Sequence, residues 1–189
     1  MRKPRFGIDI DGTVTTPDTL LPHINKAYNV ALTLEDIKEY DFLSAFPHPV
    51  DRQEFANWFL QNERYMYEVS DIYPDAKQVL NHWYKKYELI YISARHDVLV
   101  DVTTEWFMKQ QVPYDRIELI GSHNKLQAAK DAKVEVFFED KHDNAVMLAE
   151  SLDIPVILFD TPYNRDSTPK QVVRVNSWLQ ADEWIKRNF

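Results

Sequence analysis

Apolar and polar positions alternate in two rhythms along this chain. Short apolar runs at residues 5–10, 88–92, 116–120, 134–138 and 155–159 have the length and composition of buried strands. Between and after them, residues 75–86, 98–111, 126–132, 144–152 and 177–187 place apolar side chains at helical spacing. Strand and helix in regular alternation predict an α/β fold. The expected architecture is a Rossmann-like parallel sheet flanked by helices on both faces.

One stretch breaks this rhythm. From residue 15 to 73 no strand pattern appears, while residues 21–32, 33–40 and 52–67 carry helical spacing. Thr33, followed by Glu35 and Asp36, is a helix-start signal. The expected organisation is therefore an α/β core of residues 1–14 and 74–189, with an inserted helical unit of residues 15–73. The turn-rich segment 160–170, with Pro162 and Pro169, is the one long connection late in the chain.

Composition narrows the function classes. The chain has 189 residues, 44% of them hydrophobic, and no cysteine, which excludes disulfides, thiolate catalysis and cysteine-based zinc sites. Its 22 basic and 30 acidic residues leave a net charge of −8. Nucleic-acid polymers and anionic membranes need a basic surface, so neither is an expected partner. No apolar run approaches the roughly 18 residues that cross a bilayer. Arg2, Lys3 and Arg5 resemble the basic start of a signal peptide, but Asp9 and Asp11 interrupt the apolar stretch that should follow. A cytoplasmic protein, monomeric or homodimeric, is expected. The 6 histidines show no close pair at metal-ligand spacing, which argues against a zinc hydrolase. With 3 glycines there is neither a Walker-type phosphate loop nor a dinucleotide fingerprint.

Parallel sheets bind ligands beyond the carboxyl ends of their strands, so the residues after each apolar run carry the chemical information. The first run leads into Asp9-Ile10-Asp11-Gly12-Thr13 and the second into Ser93-Ala94-Arg95. The third is followed by Gly121-Ser122-His123-Asn124-Lys125, and the fourth ends in Glu139-Asp140. Acids, a hydroxyl and a lysine thus converge on one sheet edge, a set suited to phosphoryl transfer. An aspartate can attack phosphorus and form an acyl phosphate. Acids from two strand ends, Asp9 and Asp140, can hold Mg²⁺, which prefers oxygen ligands. Lys125 offsets charge, and Ser93 with backbone N–H groups can bind phosphate oxygens. Asp11 can protonate the leaving oxygen and then activate water. Arg95 has two readings, a clamp on substrate phosphate or a partner for a nearby acid.

These runs resemble the four motifs of the haloacid dehalogenase superfamily of phosphohydrolases, in order, type and context. The resemblance implies that Asp9 is nucleophile and metal ligand. It implies that Asp11 is the general acid/base and a carbonyl ligand. Thr13, Ser93, Lys125 and Arg95 would contact the phosphate. Asp140 would bind the metal directly, and Glu139 either directly or through water. A helical insertion after the first motif resembles the family's small cap, which covers the site and selects substrates. The layout, with Tyr73-Pro74-Asp75-Ala76 and Ile92-Ser93-Ala94-Arg95, is similar to the pyrimidine-type 5′(3′)-deoxyribonucleotidases and their bacterial relatives.

The expected function is then a Mg²⁺-dependent phosphomonoesterase acting on a small phosphorylated substrate, a nucleoside monophosphate first. A sugar-phosphate phosphatase and a phosphate-binding protein without turnover are the alternatives. In the insertion, Tyr40, Phe42, Trp58 and Tyr65 are candidates to stack on a base, although aromatics at helical spacing usually form a unit's own core. His96 and His123 fall on loops at the same edge.

Overall fold

The computed structural model describes residues 2–189. Six parallel strands form one sheet in the order β3-β2-β1-β4-β5-β6. They are β1 (Arg5–Ile8), β2 (Glu88–Ser93), β3 (Arg116–Leu119), β4 (Val136–Glu139), β5 (Val156–Phe159) and β6 (Val172–Val175). Successive side chains on a strand point to opposite faces, and both faces are apolar here. Phe6, Ile8, Tyr91, Phe138 and Phe159 pack on one side with Trp83 and Trp178, all fully or almost fully buried. Ile90, Ile92, Phe137 and Leu158 pack on the other side with Leu148 and Ala149. Gly7 lies where a Cβ would collide with the Phe137 ring, so the smallest residue sets how closely β1 and its neighbour's side chains approach.

The helices fall where periodicity places them. In chain order they are α1 (Leu21–Tyr28), α2 (Arg52–Glu68), α3 (Ala76–Trp83), α4 (Val100–Gln110), α5 (Leu126–Ala132), α6 (His142–Leu152) and α7 (Trp178–Asn188). Three expectations need correction. β6 was not expected. Its four residues include Arg174 and carry too little alternation to stand out, yet they pair with β5 from Val156↔Val172 to Phe159↔Val175. The helix expected over 33–40 is a single 3₁₀ turn, Leu34–Asp36. The Thr33 N–H and hydroxyl both donate to the Asp36 carboxylate, which closes the turn, and the backbone is extended at Ile37. The helix expected over 21–32 ends at Tyr28. Asn29 is left-handed there, and the Asn25 side chain bonds both backbone groups of Leu32, folding the chain back.

The segment between β1 and α3 leaves and rejoins the core through a narrow neck. Thr15 and Ile72 form an antiparallel bridge, Thr16 N–H donates to Asp71, and Tyr73 N–H donates to Val14. Further out, α2 leans on α4. Arg64 makes a two-bonded ion pair with Asp101 at 2.5 and 2.9 Å. No helix among the described residues is long and apolar enough to cross a membrane.

Candidate active site

The strand order reverses direction at β1, which is the switch point where doubly wound sheets form their crevice. β1 and β4 are direct neighbours: Ile8 pairs with Phe138, and Asp9 N–H donates to the Phe138 carbonyl at 2.9 Å. This register brings Asp9, at the end of β1, beside Glu139 and Asp140, at the end of β4. One carboxylate oxygen from each lies within 4.8 Å of the others, and all three residues are buried. β2, on the other side of β1, delivers Ser93 and Arg95.

Lys125, immediately before α5, lies inside this acidic group. Its ammonium is 2.5 Å from Asp9 and 2.9 Å from Glu139, and the residue is 1% exposed. Burial works against its charge, yet Asp9 and Glu139 hold its pKa above the ordinary lysine value. Burial pushes the Asp9 carboxyl up to about 8, with Lys125 pulling it back and Glu139 and Asp11 adding to the rise. Burial, then Glu139 and Asp9, push Asp140 well above the ordinary carboxyl range. Ionising all three acids against one ammonium would leave two uncompensated negative charges, and the upward shifts of Asp9 and Asp140 reflect that burden. That imbalance suits a divalent cation.

The remaining hydrogen bonds divide the acids. Glu139 is saturated by protein donors: Lys125 and Asn144 reach one oxygen, and the N–H groups of Asp140 and Lys141 reach the other. Asp140 differs. Oδ2 accepts the Tyr163 hydroxyl at 2.5 Å, while Oδ1 is buried with no partner. Burial and the Asp140 carboxylate keep the Tyr163 phenol protonated, so it remains a donor. An orphaned, buried carboxylate oxygen beside two further acids fits a hard metal ion.

Gly12 has φ +80°, a conformation that favours glycine, and a Cβ there would strike Asp140. Asp11 therefore projects past the turn toward Arg95. Arg95 Nε and Nη2 grip both Asp11 oxygens at 3.0 and 2.7 Å, and Nη1 donates to Thr103. The guanidinium stacks 3.8 Å from the Tyr67 ring centroid, so a residue of α2 closes the back of this pair. Of the two readings of Arg95, the structure shows the pairing with an acid.

Above these groups opens a cavity of about 500 Å³. Asp9, Asp11, Lys125, Asp140 and Arg95 form its polar floor. The roof is apolar, built by Leu20, Ile37, Phe42, Phe55, Phe59 and Leu60. Tyr40, His123 and Tyr163 close one side, with Tyr40 in edge contact with both of the others. Burial, then Lys141 and Lys125, hold His123 below its ordinary pKa, so it is neutral at pH 7. His96 and Glu63 stand on the Arg95 side.

Several expected site residues sit elsewhere. Ser93 is fully buried below the cavity, where its hydroxyl accepts the Arg95 N–H and shapes the loop. Thr13 does not line the cavity. The turn at Gly12 sends it inward, where its carbonyl accepts the Trp178 indole. Trp58 packs against Tyr28 and Phe55, and Tyr65 is 59% exposed beside His23. The two point away because α2 turns about 100° per residue. Phe55, Phe59, Glu63 and Tyr67 share one arc of the helix, and positions 58 and 65 fall outside it, on the flank next to Phe55. Glu63 and Tyr163 carry no motif. The spacing of four from Phe55 to Tyr67 was the available signal for Glu63.

The family model described as "5′ nucleotidase, deoxy (Pyrimidine), cytosolic type C protein" matches residues 3–189. The chain belongs to this family. It is 47% identical to "Putative nucleotidase BH1399" of Halalkalibacterium halodurans, over 99% of this chain and 97% of that one. It is 42% identical to "Putative nucleotidase YqfW" of Bacillus subtilis, over 97% and 94%. Among solved structures, a haloacid dehalogenase-like hydrolase from Streptococcus pneumoniae superposes with a TM-score of 0.68 at 11% identity, covering 97% of this chain and 98% of that one. This nucleotidase-family chain is thus a phosphoric monoester hydrolase on a haloacid dehalogenase-type fold.

Proposed function

We propose that the protein is a Mg²⁺-dependent 5′(3′)-deoxyribonucleotidase that works through a phosphoaspartate on Asp9. The observation that carries this reading is the buried Asp9–Lys125–Glu139–Asp140 cluster at the floor of a cavity with an aromatic roof. Asp9, Asp140 through its free Oδ1, and the Asp11 carbonyl would hold the cation. Glu139, already saturated by protein donors, would act from one layer further out. When bound, Mg²⁺ supplies the positive charge that lets a phosphate dianion approach a carboxylate.

The chain's own groups do the rest. Lys125 favours the ionised form of Asp9 and aims its oxygen while offsetting charge on the transferring group. The Asp9 oxygen attacks phosphorus, the ester oxygen departs, and Asp11 donates a proton to it. In the free protein Asp11 is gripped by Arg95. An arriving phosphate competes for that guanidinium and frees the carboxyl to carry its proton. The same carboxylate then takes a proton from the water that cleaves the acyl phosphate. Residues 15–73 act as a cap over this chemistry, with Phe42, Phe55 and Phe59 as an apolar slot for the base and Tyr40 at the rim. Such a slot favours a nucleoside monophosphate over a free sugar phosphate.

Phosphate release by the purified protein with Mg²⁺, across deoxynucleotides, ribonucleotides and sugar phosphates, tests this reading. Preference for deoxynucleoside monophosphates, lost with EDTA, is expected. Turnover confined to sugar phosphates overturns the substrate, and no turnover of any phosphoester overturns the enzyme.

A further inference from the structure

The face that α2 turns to the cavity runs Phe55, Ala56, Phe59, Leu60, Glu63, Tyr67, so a single acid interrupts an apolar and aromatic stripe. Glu63 is 8% exposed and lines the cavity, and among the described residues its carboxylate has no hydrogen-bond partner. His96, Arg95 and Asp11 line the same cavity, close enough for their charges to act on it. Burial raises its pKa, and the two basic groups partly offset that rise. A buried carboxyl without a partner is costly and calls for a donor. Unlike Glu54 and Glu68, which stand on exposed faces of α2, Glu63 faces the cavity, where a bound ligand would replace water as its donor.

Its position along the helix identifies the donor. Tyr67 lies one step of about 6 Å beyond Glu63 toward the carboxyl end of α2, and Phe59 one similar step toward its amino end. Tyr67 backs the Arg95–Asp11 pair, where the phosphate and its leaving oxygen belong. Phe59 and Phe55 form the apolar slot. A nucleotide has the same order of parts: phosphate, sugar, base. Glu63 falls at the sugar, whose only donors are its hydroxyls.

Resting on the nucleotidase reading, we propose that Glu63 accepts a hydrogen bond from the free hydroxyl of the substrate's sugar, the 3′-hydroxyl of a 5′-nucleotide. The residue sets specificity for a nucleotide that presents this hydroxyl. With the sugar bound in the cavity, water is displaced from the carboxylate, and a substrate that lacks the hydroxyl leaves it without a donor.

The test compares kcat/KM for a 2′-deoxynucleoside 5′-monophosphate and its 2′,3′-dideoxy counterpart in wild type, Glu63→Gln and Glu63→Ala. Wild type is expected to prefer the hydroxylated substrate by about 10-fold to 100-fold, the range for a hydrogen bond to a charged group. Glu63→Ala should bring the ratio near one, with Glu63→Gln between because its amide oxygen still accepts. Glu63→Gln keeps the size and decides the matter if the alanine variant does not fold, as judged by circular dichroism. Equal turnover of both substrates by wild type overturns the assignment. So does full hydroxyl preference retained in the variants, or a change in base preference alone. If wild type hydrolyses sugar phosphates and no nucleotide, the nucleotidase reading itself has failed and this assignment falls with it.

Discussion

Replacing Lys125 with methionine would leave a side chain of similar length and remove the only ammonium among three buried acids. Breaking a buried ion pair by deleting one partner costs about 3–5 kcal/mol, because the abandoned charge keeps its desolvation penalty. Domains of this size shift by about 2–4 °C per kcal/mol, so the metal-free variant should melt about 6–20 °C below wild type. The size of the gap depends on pH, and its sign follows from linkage. A carboxyl whose pKa is raised on folding takes up protons with folding, so its burden on stability grows as pH rises. Asp9 is already pushed from 3.8 to about 8 with Lys125 present. Without the ammonium its pKa rises further. The gap between variant and wild type should therefore stay level below about pH 7, where Asp9 is protonated in both, and widen above about pH 8, where only the wild-type Asp9 ionises. Thermal melts in EDTA at about pH 6, 8 and 9.5 measure it. Equal melting temperatures, or a gap that does not widen with pH, would refute the argument that Lys125 compensates the buried acids.

Two further outcomes follow from the same geometry. Tyr163→Phe removes the donor to Asp140 Oδ2, and should raise the Mg²⁺ concentration for half-maximal activity by about 10-fold to 100-fold, the usual cost of losing a ligand's outer partner. A Mg²⁺ titration showing no shift would remove Tyr163 from the account. Asp11→Asn should lower nucleotide turnover by about 10²–10⁴-fold, yet cost far less with nitrophenyl phosphate, whose leaving group needs no proton. Equal losses with both substrates would mean that Asp11 is not the acid.

The floor of the site was legible in the sequence because chemistry and local structure coincide there. Asp9, Glu139 and Asp140 stand at the ends of apolar runs and Lys125 five residues after one, and a parallel sheet gathers such positions on one edge. The roof was harder. Trp58 and Tyr65 are aromatics on the same helix as Phe55 and Phe59, and only the register of α2 against the core separates the two pairs. That register goes with the packing of Tyr67 and Phe59 against Leu99 and Val102, distant in sequence. Glu63 reads as one more charged position on an exposed helix until the fold turns its arc inward. Tyr163 sits in a turn-rich loop, and its role exists only because β5 lies next to β4. β6 escaped notice because four residues ending at the sheet edge carry too little pattern.

The covalent intermediate is the central claim, and it can be observed. Protein turning over a deoxynucleoside monophosphate with Mg²⁺ would be quenched in acid, digested and weighed by mass spectrometry, beside Asp9→Asn. The account predicts a phosphoryl group on the wild-type peptide carrying Asp9, none on the variant, and variant turnover below about 1% of wild type, as loss of a nucleophile implies. Steady phosphate release with no phosphoryl group on that peptide, or an Asp9→Asn variant of near-normal rate, would contradict it.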